Sequence, residues 1–384
     1  MKYYDFIIAG GGAAGLSLAF YLSLSSLKNK RVLIIDKDRK NKNDRTWGFW
    51  HNRKTAFDDI VSYRFENLNF YSDFYQQKIQ LGDYHYSVIR GIDFYNFIKK
   101  HLENYPDFQF LNASVTGMDH KNDKVEVATD QGTFEAGFVF SSIYDEKEIL
   151  NAIASELYLR QHFKGWVIET PSPAFDPEAF TMFDFRTPQD GLMRFFYVIP
   201  HANTRALVEY TLFSEQLLEK EAYDTAIQVY IQDILKVKDY NIVEEEFGVI
   251  PMTTYKFPAS QGERIINIGS LGGSSKPSSG YTFMRIQKHV QKIVKALEKG
   301  KSPVVPAVSP PRYRFYDAVL LNILKNRGGL AEKLFSYMFK NNSVRQLFRF
   351  LDEEGGLPND LKIITSLPPG PFLKSTLEHF LKNE

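Results

Sequence analysis

The stretch Gly10-Gly-Gly12-Ala-Ala-Gly15 lies between two short apolar runs, Asp5–Ala9 before it and Lys30–Asp36 after it. Both runs are typical of buried strands, and residues 16–27 between them have the composition of a helix. A G-x-G-x-x-G pattern that follows a strand and opens a helix is the fingerprint of a βαβ unit that binds a dinucleotide. The sequence therefore predicts an α/β protein that begins with a Rossmann-like unit.

Each glycine of this motif has a steric role. Gly10 allows a tight turn, Gly12 lets the backbone approach a pyrophosphate, and Gly15 lets the helix pack closely on the strand. The helix N-terminus around Ala14 presents N–H groups and a positive dipole end to the phosphates. Asp36 closes the second strand about 20 residues later, where an acid suits ribose hydroxyls and favours FAD or NAD over NADP. The alternative is a purely structural glycine turn.

A second glycine-rich segment, Gly269–Tyr281, follows a strand-like run and opens a helix predicted at about 280–298. A tightly held FAD needs a second contact region late in the chain, which favours FAD over NAD. We expect Gly269, Gly272, Gly273 and Gly280 to permit close approach to the flat flavin ring. The helix N-terminus would favour an anionic reduced flavin. An ordinary strand–turn–helix connection is the alternative.

The middle of the chain has a different pattern. Four strand candidates, at Gly165–Thr170, Ala179–Phe185, Leu192–Ile199 and Arg205–Leu212, predict an antiparallel sheet, and a helix is expected at about 214–236. Residues 61–90 alternate aromatic and polar side chains, which also predicts antiparallel strands, and the tail from 308 is mostly helical. We therefore expect a discontinuous FAD-binding domain (1–60, 88–154 and 259–300), an interleaved antiparallel-sheet substrate domain (61–87 and 155–258) and a helical C-terminal region (301–384).

Composition excludes several classes of protein. The 384 residues include 47 basic and 46 acidic side chains, so the net charge of +1 argues against a nucleic-acid partner. There is no cysteine, which removes disulfides, thiolate metal sites and dithiol flavin chemistry. No histidine pair has metal-ligand spacing, so no metal is expected. The 15% aromatic content fits either a composition bias or an aromatic pocket for a large apolar or cationic ligand.

The N-terminus lacks the charged and apolar regions of a signal peptide, and no window reaches about 18 consecutive apolar residues. These observations predict a cytoplasmic protein without a transmembrane helix. Peripheral contact with a membrane remains open at this point.

Several separated stretches resemble the lycopene cyclase family, flavoproteins of carotenoid biosynthesis. The two most specific stretches contain Arg45-Thr-Trp47 and Lys276-Pro-Ser-Ser-Gly-Tyr-Thr-Phe283. The full set, in family order, comprises Asp5–Gly15, Asp44–Trp50, Met182–Arg186, Phe196–Pro200, Leu207–Thr211 and Ile268–Phe283, followed by Arg312–Asp317 and Arg349–Asp352, which look like the bacterial branch. The resemblance covers nearly the whole chain.

The resemblance implies a GR2-type flavoprotein that uses reduced FAD, with NAD(P)H as reductant. It implies conversion of the linear ends of lycopene to β-ionone rings, giving γ-carotene and β-carotene without net redox change. In the family, the stretch Leu207–Thr211 holds an acidic pair, of which this sequence keeps Glu209 and replaces the second acid by Tyr210. Arg45 is expected at the cofactor.

Protonating an alkene requires a protonated carboxyl, whose pKa must be raised by an apolar, poorly hydrated pocket. Glu209 is the candidate acid, and a solvent-facing strand residue is the alternative. Asp184 and Arg186 are further catalytic candidates, as a second proton relay or as a structural pair. Six aromatic residues are candidates for the substrate pocket, where each ring face stabilises a cation by about 0.5–2 kcal/mol; they are Trp47, Trp50, Phe183, Tyr197, Tyr210 and Tyr281. Core packing is the alternative for Trp47 and Trp50.

Two other functions remain open on the sequence. One is a flavin monooxygenase or polyene reductase on the same scaffold, and the other is a non-catalytic carotenoid-binding flavoprotein.

The tail segment Arg312–Arg349 contains eight basic and two acidic side chains, interspersed with many apolar ones. Basic amphipathic helices bind membrane interfaces, so the segment predicts a peripheral membrane contact. A helical cap with a solvated basic face is the alternative.

Overall fold

The computed structural model describes residues 1–153, 156–307 and 309–381. The strands, in chain order, are β1 (Lys2–Ala9), β2 (Val32–Asp36), β3 (Thr46–His51), β4 (Tyr63–Phe65), β5 (Asn67–Tyr71), β6 (Gln76–Gln80), β7 (His85–Arg90), β8 (Phe108–Asn112), β9 (Val115–Lys121), β10 (Lys124–Thr129), β11 (Gly132–Ser141), β12 (Tyr158–Glu169), β13 (Ala179–Asp184), β14 (Met193–Ala202), β15 (Arg205–Ser214), β16 (Asn241–Thr253), β17 (Ser260–Gln261) and β18 (Ile265–Asn267). The helices are α1 (Ala13–Ser23), α2 (Gly91–Leu102), α3 (Glu146–Ala152), α4 (Lys220–Val229), α5 (Phe283–Glu298), α6 (Pro311–Arg327), α7 (Ala331–Asn341), α8 (Val344–Leu351), α9 (Leu357–Thr365) and α10 (Pro369–Leu381).

The first sheet has the order β17-β18-β11-β1-β2-β8, and β9 and β10 extend it from β11 as an antiparallel meander. Strand β1 pairs in parallel with β2 and β11, as a βαβ fold requires. The apolar strands pack with residues of α1, α2 and α5 in one hydrophobic core. The parallel pairing of β1 with β2 and β11, together with the helices packed on these strands, confirms the predicted α/β class with a Rossmann-like unit.

The second sheet has the order β16-β12-β15-β14-β13-β5-β6. It is antiparallel except at β5 and β13, which pair in parallel because the chain between them passes through the first sheet before it returns. Strand β12 begins at Tyr158, before the predicted start at Gly165. Strand β16 was not predicted, because its first half is an acidic run, Glu244-Glu-Glu246, that lacks the apolar alternation of a half-buried strand.

A small third sheet, β3-β7-β4, contributes side chains to the hydrophobic cores of both large sheets. It crosses the boundaries that we placed at 60/61 and 87/88, since β3 and β4 both pair with β7. The boundary at 154/155 and the last residues, 382–384, lie outside the described residues. The domain division remains a proposal.

The helix predicted at 214–236 begins later, at Lys220, because β15 continues to Ser214. It ends in a wider π-helical turn, Tyr230–Ile234. In the tail, α6 to α9 pack against the second sheet. Their apolar side chains join the same core as Phe70 and Phe183; they are Leu321, Leu324, Met338, Phe339, Leu347, Phe348 and Ile363.

Candidate active site

The turn after β1 has the geometry that the first glycine motif predicts. Gly10 has a φ of +106°, and a Cβ at Gly15 would lie 1.9 Å from the Gly10 carbonyl oxygen. Both positions therefore require glycine. A Cβ at Gly12 would meet nothing within 4 Å, because Gly12 and Ala14 border a cavity. The backbone at Gly12 is consequently open to a ligand.

Asp36 ends β2 beside this turn. One oxygen of its carboxylate accepts the N–H of Gly11 at 2.6 Å, and the other accepts the N–H of Asp38 at 2.7 Å. Each carboxylate oxygen has a second lone pair, so Asp36 can still accept hydroxyl groups of a ribose.

The late glycine segment approaches the same cavity. Gly269 and Gly280 border it, with φ values of +62° and +71°. Helix α5 begins at Phe283 rather than at 280, since the positive φ of Gly280 is incompatible with a helix. Gly272 and Gly273 border a neighbouring pocket of about 370 Å³ instead. Two glycines of the segment therefore border the main cavity, and the other two border the neighbouring pocket.

The main cavity has a volume of about 560 Å³. It extends from the α1 N-terminus, past the N-terminus of α5, to the inner face of the second sheet. Arg45 borders it, and its guanidinium donates to the carbonyl oxygens of Asp44 and Phe247 at 3.3 Å each. The open backbone at Gly12 and Gly269, the free lone pairs of Asp36 and the two helix N-termini fit a flavin dinucleotide.

Glu209 lies on β15 at the far end of this cavity. The hydroxyl of Thr211 donates to its Oε1 at 2.7 Å. Burial raises the pKa of Glu209 well above its ordinary value, and the negative charge of Glu246 raises it further. The half-buried side chain borders the cavity, and its raised pKa favours the protonated carboxyl.

Glu246 is a second carboxyl at this site, and sequence reasoning missed it. It lies on β16, borders the cavity, and accepts a hydrogen bond from the Thr46 hydroxyl at 2.7 Å. Burial raises its pKa, whereas the Thr46 hydroxyl, the hydrogen bond with Glu209 and the charge of Arg45 act in the opposite direction. Gly165, an in-strand glycine opposite Glu246, is a sequence signal of a close approach, but it does not identify the residue that approaches.

Three tyrosines lie over the carboxyl pair. The hydroxyl of Tyr197 is 3.3 Å from that of Tyr281, and Tyr86 contacts Tyr281 through its own hydroxyl. Gly48 makes room for Tyr86, because a Cβ there would lie 2.0 Å from the Tyr86 hydroxyl. Burial raises the pKa of all three well above the ordinary tyrosine value, so they remain neutral phenols.

Tyr210 is not part of this pocket, contrary to our expectation. Successive residues of a strand point to opposite faces, so Tyr210 points away from the side of Glu209. It stacks on Phe196 with ring centres 4.9 Å apart, and Phe196 stacks on Tyr230 at 3.8 Å.

Asp184 and Arg186 also lie away from Glu209, because β14 separates β13 from β15. Arg186 donates to both oxygens of the buried Asp184, at 2.9 and 2.5 Å. Asp184 accepts a further bond from the Tyr230 hydroxyl at 2.7 Å, and Arg186 lies 4.2 Å from the centre of the Tyr71 ring. This geometry is a structural pair, not a proton relay to Glu209.

The remaining aromatic candidates form two layers. Trp47 borders the cavity and stacks on Phe283 with ring centres 5.5 Å apart. Trp50 lies behind Tyr281, 4.3 Å from its ring, and stacks on Phe348 of α8 at 4.7 Å. Phe183 lies behind Tyr197, at 6.1 Å. Trp50 and Phe183 therefore support the pocket wall instead of lining it.

The apolar side chains of the basic tail segment are mostly buried against the second sheet, so they do not form the predicted membrane-binding face. Arg312, Lys325 and Arg327 pair with Asp360, Glu215 and Glu378. The segment is a helical cap. In the part of the chain that the structure describes, no helix is long and apolar enough to cross a membrane, and no three His, Asp or Glu side chains form a group that could hold a metal ion.

The fold and this cavity define the class: the chain has the fold of FAD-dependent flavoproteins. Solved structures with this fold include a geranylgeranyl bacteriochlorophyll reductase-like protein from Thermoplasma acidophilum (14% identity, 97% of this chain and 98% of that one, TM-score 0.61). They also include the flavin-dependent brominase Bmp2 (12%, 100% of both chains, 0.62) and p-nitrophenol 4-monooxygenase from Pseudomonas putida DLL-E4 (15%, 100% and 98%, 0.58). A comparison with curated protein sequences returned no match. The model of the family described as lycopene cyclase protein matches residues 5–377, and the chain belongs to this family.

Proposed function

We propose that this protein is a lycopene β-cyclase that converts linear ends of lycopene to β-ionone rings without net redox change. The observation that carries the proposal is the position of Glu209, a carboxyl with a raised pKa in an aromatic-lined cavity that also reaches the two glycine-rich segments. The family match supports the substrate class.

The chemistry needs one acid and one base, and Glu209 supplies both. Its proton is transferred to a terminal alkene carbon, and the neighbouring double bond attacks the resulting tertiary cation to close the ring. The Glu209 carboxylate then takes up a ring proton, which restores the carboxyl and leaves the substrate isomerised. A positioned general acid contributes about 10²–10⁴-fold, so the rest of the acceleration must come from binding and electrostatics.

The surrounding residues stabilise the cation and exclude water. Tyr86, Tyr197 and Tyr281 present neutral aromatic rings, each of which contributes about 0.5–2 kcal/mol to cation binding. FAD would be held by Gly12, Ala14, Asp36 and Gly269. When bound in its reduced form, it would supply negative charge near the cation, with NAD(P)H as the source of its electrons.

We further propose that the protein works in the cytoplasm at the membrane surface, where an apolar polyene dissolves. The exposed side chains of Leu357 and Leu361 on α9, and of Leu373 and Leu377 on α10, are better candidates for this contact than the buried face of the tail segment. Lys362 and Lys374 are exposed on the same two helices and would attract anionic lipid. Flotation with anionic liposomes at low salt tests this contact. Loss of binding in a Leu373→Ser/Leu377→Ser variant is expected, and no binding by the unaltered protein would contradict it.

The activity itself is tested with purified protein, reduced FAD and lycopene in liposomes under anaerobic conditions. We expect a product of unchanged mass with a shifted absorption spectrum, and no NAD(P)H consumption in step with product. A gain of oxygen would indicate a monooxygenase, and a gain of hydrogen a reductase. Binding of lycopene without any product would indicate a carrier. Each of these three results would overturn the proposal.

A further inference from the structure

Two carboxyls from different strands meet over a single glycine. Strand β12 lies between β15 and β16, and its Gly165 is directly opposite Glu209 on one side and Glu246 on the other. Two strand spacings separate the backbones of the two acids by about 9–10 Å. A Cβ at Gly165 would lie 2.7 Å from Cδ1 of Leu207, 3.2 Å from Cγ of Glu246 and 3.5 Å from Cβ of Glu209. The absence of a side chain therefore leaves room for Leu207 and for Glu246, which extends towards Glu209.

The two carboxyl groups are close enough to influence each other's pKa. Carboxylates are acceptors only, so a hydrogen bond between them requires one proton on the pair. In the described part of the chain, no Lys or Arg forms a salt bridge with either acid, and Arg45 donates to backbone carbonyls instead. Two acids buried side by side without a basic partner destabilise the fold, and such arrangements cluster at functional sites.

The surroundings distinguish the two members of the pair. Glu246 accepts the Thr46 hydroxyl and faces the positive charge of Arg45, although Glu244 adds a nearby negative charge. Glu209 lies near the neutral hydroxyls of Tyr86, Tyr197 and Tyr281, and it accepts a hydrogen bond from the Thr211 hydroxyl. The negative charge of the pair is therefore better stabilised on Glu246, and the proton belongs on Glu209.

We propose that Glu246 is the positioning residue of the acid: its carboxylate accepts a hydrogen bond from the protonated carboxyl of Glu209 across Gly165 and so keeps that proton on Glu209, beside the substrate cavity. The inference rests on the proposed function of Glu209. When Glu209 transfers its proton to the alkene, two adjacent carboxylates face the cation that forms, and their charge offsets the weakness of the acid. Loss of the ring proton to Glu209 returns the pair to one proton and one negative charge.

The pH profile of cyclisation tests this role. In a Glu246→Gln variant, Glu209 loses its negative neighbour, so the limb at which activity falls on alkalinisation should move down by about 1 pH unit or more. Activity at neutral pH should fall, with partial recovery in acid. Glu245→Gln is the matched control, because Glu245 is adjacent on β16 but exposed and points to the opposite face, where it pairs with Lys164. An unshifted limb in Glu246→Gln would refute the role.

Gly165→Ala gives an independent test with both acids intact. The new Cβ would be too close to Leu207 and tight against Glu246, so it should displace the Glu246 side chain from Glu209 and move the limb in the same direction. If this variant does not fold, Glu246→Asp replaces it: a shorter carboxylate that keeps the charge but loses the contact should give an intermediate shift. If Glu246→Asp and Glu246→Gln both have the same pH profile of cyclisation as the wild type, the proposal is overturned.

A readout without lycopene separates this inference from the proposed function. Infrared titration of the purified flavoprotein should show a protonated carboxyl band near neutral pH that disappears in Glu209→Gln and titrates at lower pH in Glu246→Gln. If the band behaves this way but no cyclisation occurs, the proposed function fails and the carboxyl pair stands. If cyclisation occurs and the band is unchanged in Glu246→Gln, the pair fails and the function stands.

Discussion

Two groups of buried ionisable side chains, one around Lys276 and one formed by Glu209 and Glu246, differ in how their charges are compensated. In the first, the ammonium of Lys276 is 2.9 Å from Asp317 and 3.0 Å from Glu353, and Arg285 is 2.9 Å from Glu353. Positive and negative charges are matched. In the second, Glu209 and Glu246 share one cavity wall with no basic side chain bonded to them in the described ranges.

The matched group has a structural role, since it connects α6 and the segment after α8 to the loop that is expected to contact the flavin. The unmatched pair contributes no such connection, and its burial destabilises the folded state. The difference indicates that the chain retains the Glu209 pair for its chemistry and the Lys276 group for its architecture. Substitutions in the two groups should therefore have opposite consequences for stability and activity.

The largest effect is expected for Glu209→Gln. Because glutamine has the same shape but no acidic proton, cyclisation should fall by about 10²–10⁴-fold, while FAD binding and the free energy of unfolding stay at or above the wild-type values. Product formation and flavin absorbance measure these quantities. Glu215→Gln, an exposed residue just after β15, is the control. Wild-type cyclisation by Glu209→Gln would show that another group is the acid.

The second effect concerns stability. Lys276→Met should lower the free energy of unfolding by about 3–5 kcal/mol, because it leaves Asp317 and Glu353 buried with less positive charge. The matched control is Lys288→Met, whose partner Glu354 is exposed and whose loss should change stability by about 0–1 kcal/mol. Urea denaturation measures both. Equal effects of the two substitutions would contradict a structural role for the buried group.

The two groups should also respond oppositely to pH. The pKa of Glu209 is raised, so the folded state binds more protons than the unfolded state, and stability falls as pH rises above the ordinary glutamate pKa. The pKa of Glu353 is lowered by Lys276 and Arg285 against the effect of burial, so its contribution is present above the ordinary pKa and is lost as pH falls. Glu209→Gln should therefore gain stability relative to wild type as pH rises. A constant difference between them would argue against a protonated Glu209.

The smallest effect is expected for Tyr210→Phe. The ring lies on the face of the sheet opposite Glu209, so the cyclisation rate should stay within about twofold of wild type. Tyr197→Phe, which alters the hydroxyl network beside the acid, should have a larger effect. A stronger effect of Tyr210→Phe than of Tyr197→Phe would contradict the assignment of faces.

Features that depend on local geometry could be predicted from the sequence. Gly10, Gly12 and Gly15 meet steric demands of one turn, so their spacing alone indicates it. Tyr210 was wrongly placed because it is next to Glu209 in sequence, although strand alternation points the two side chains to opposite faces. Glu246 and Gly165 could not be predicted, because their meeting depends on the pairing of β12, β15 and β16 over long separations in sequence. Glu246 belongs to the acidic run Glu244–Glu246, and such a run predicts solvent-exposed side chains.

Anaerobic turnover of lycopene in D₂O, with the product analysed by mass spectrometry, addresses the acid–base role of Glu209 in a single experiment. The exchangeable carboxyl proton becomes a deuteron, so a protonation-initiated, redox-neutral cyclisation should add one deuterium per ring, and Glu209→Gln should abolish this product. Rings formed by wild type without deuterium, or a product with added oxygen or a saturated double bond, would contradict the account.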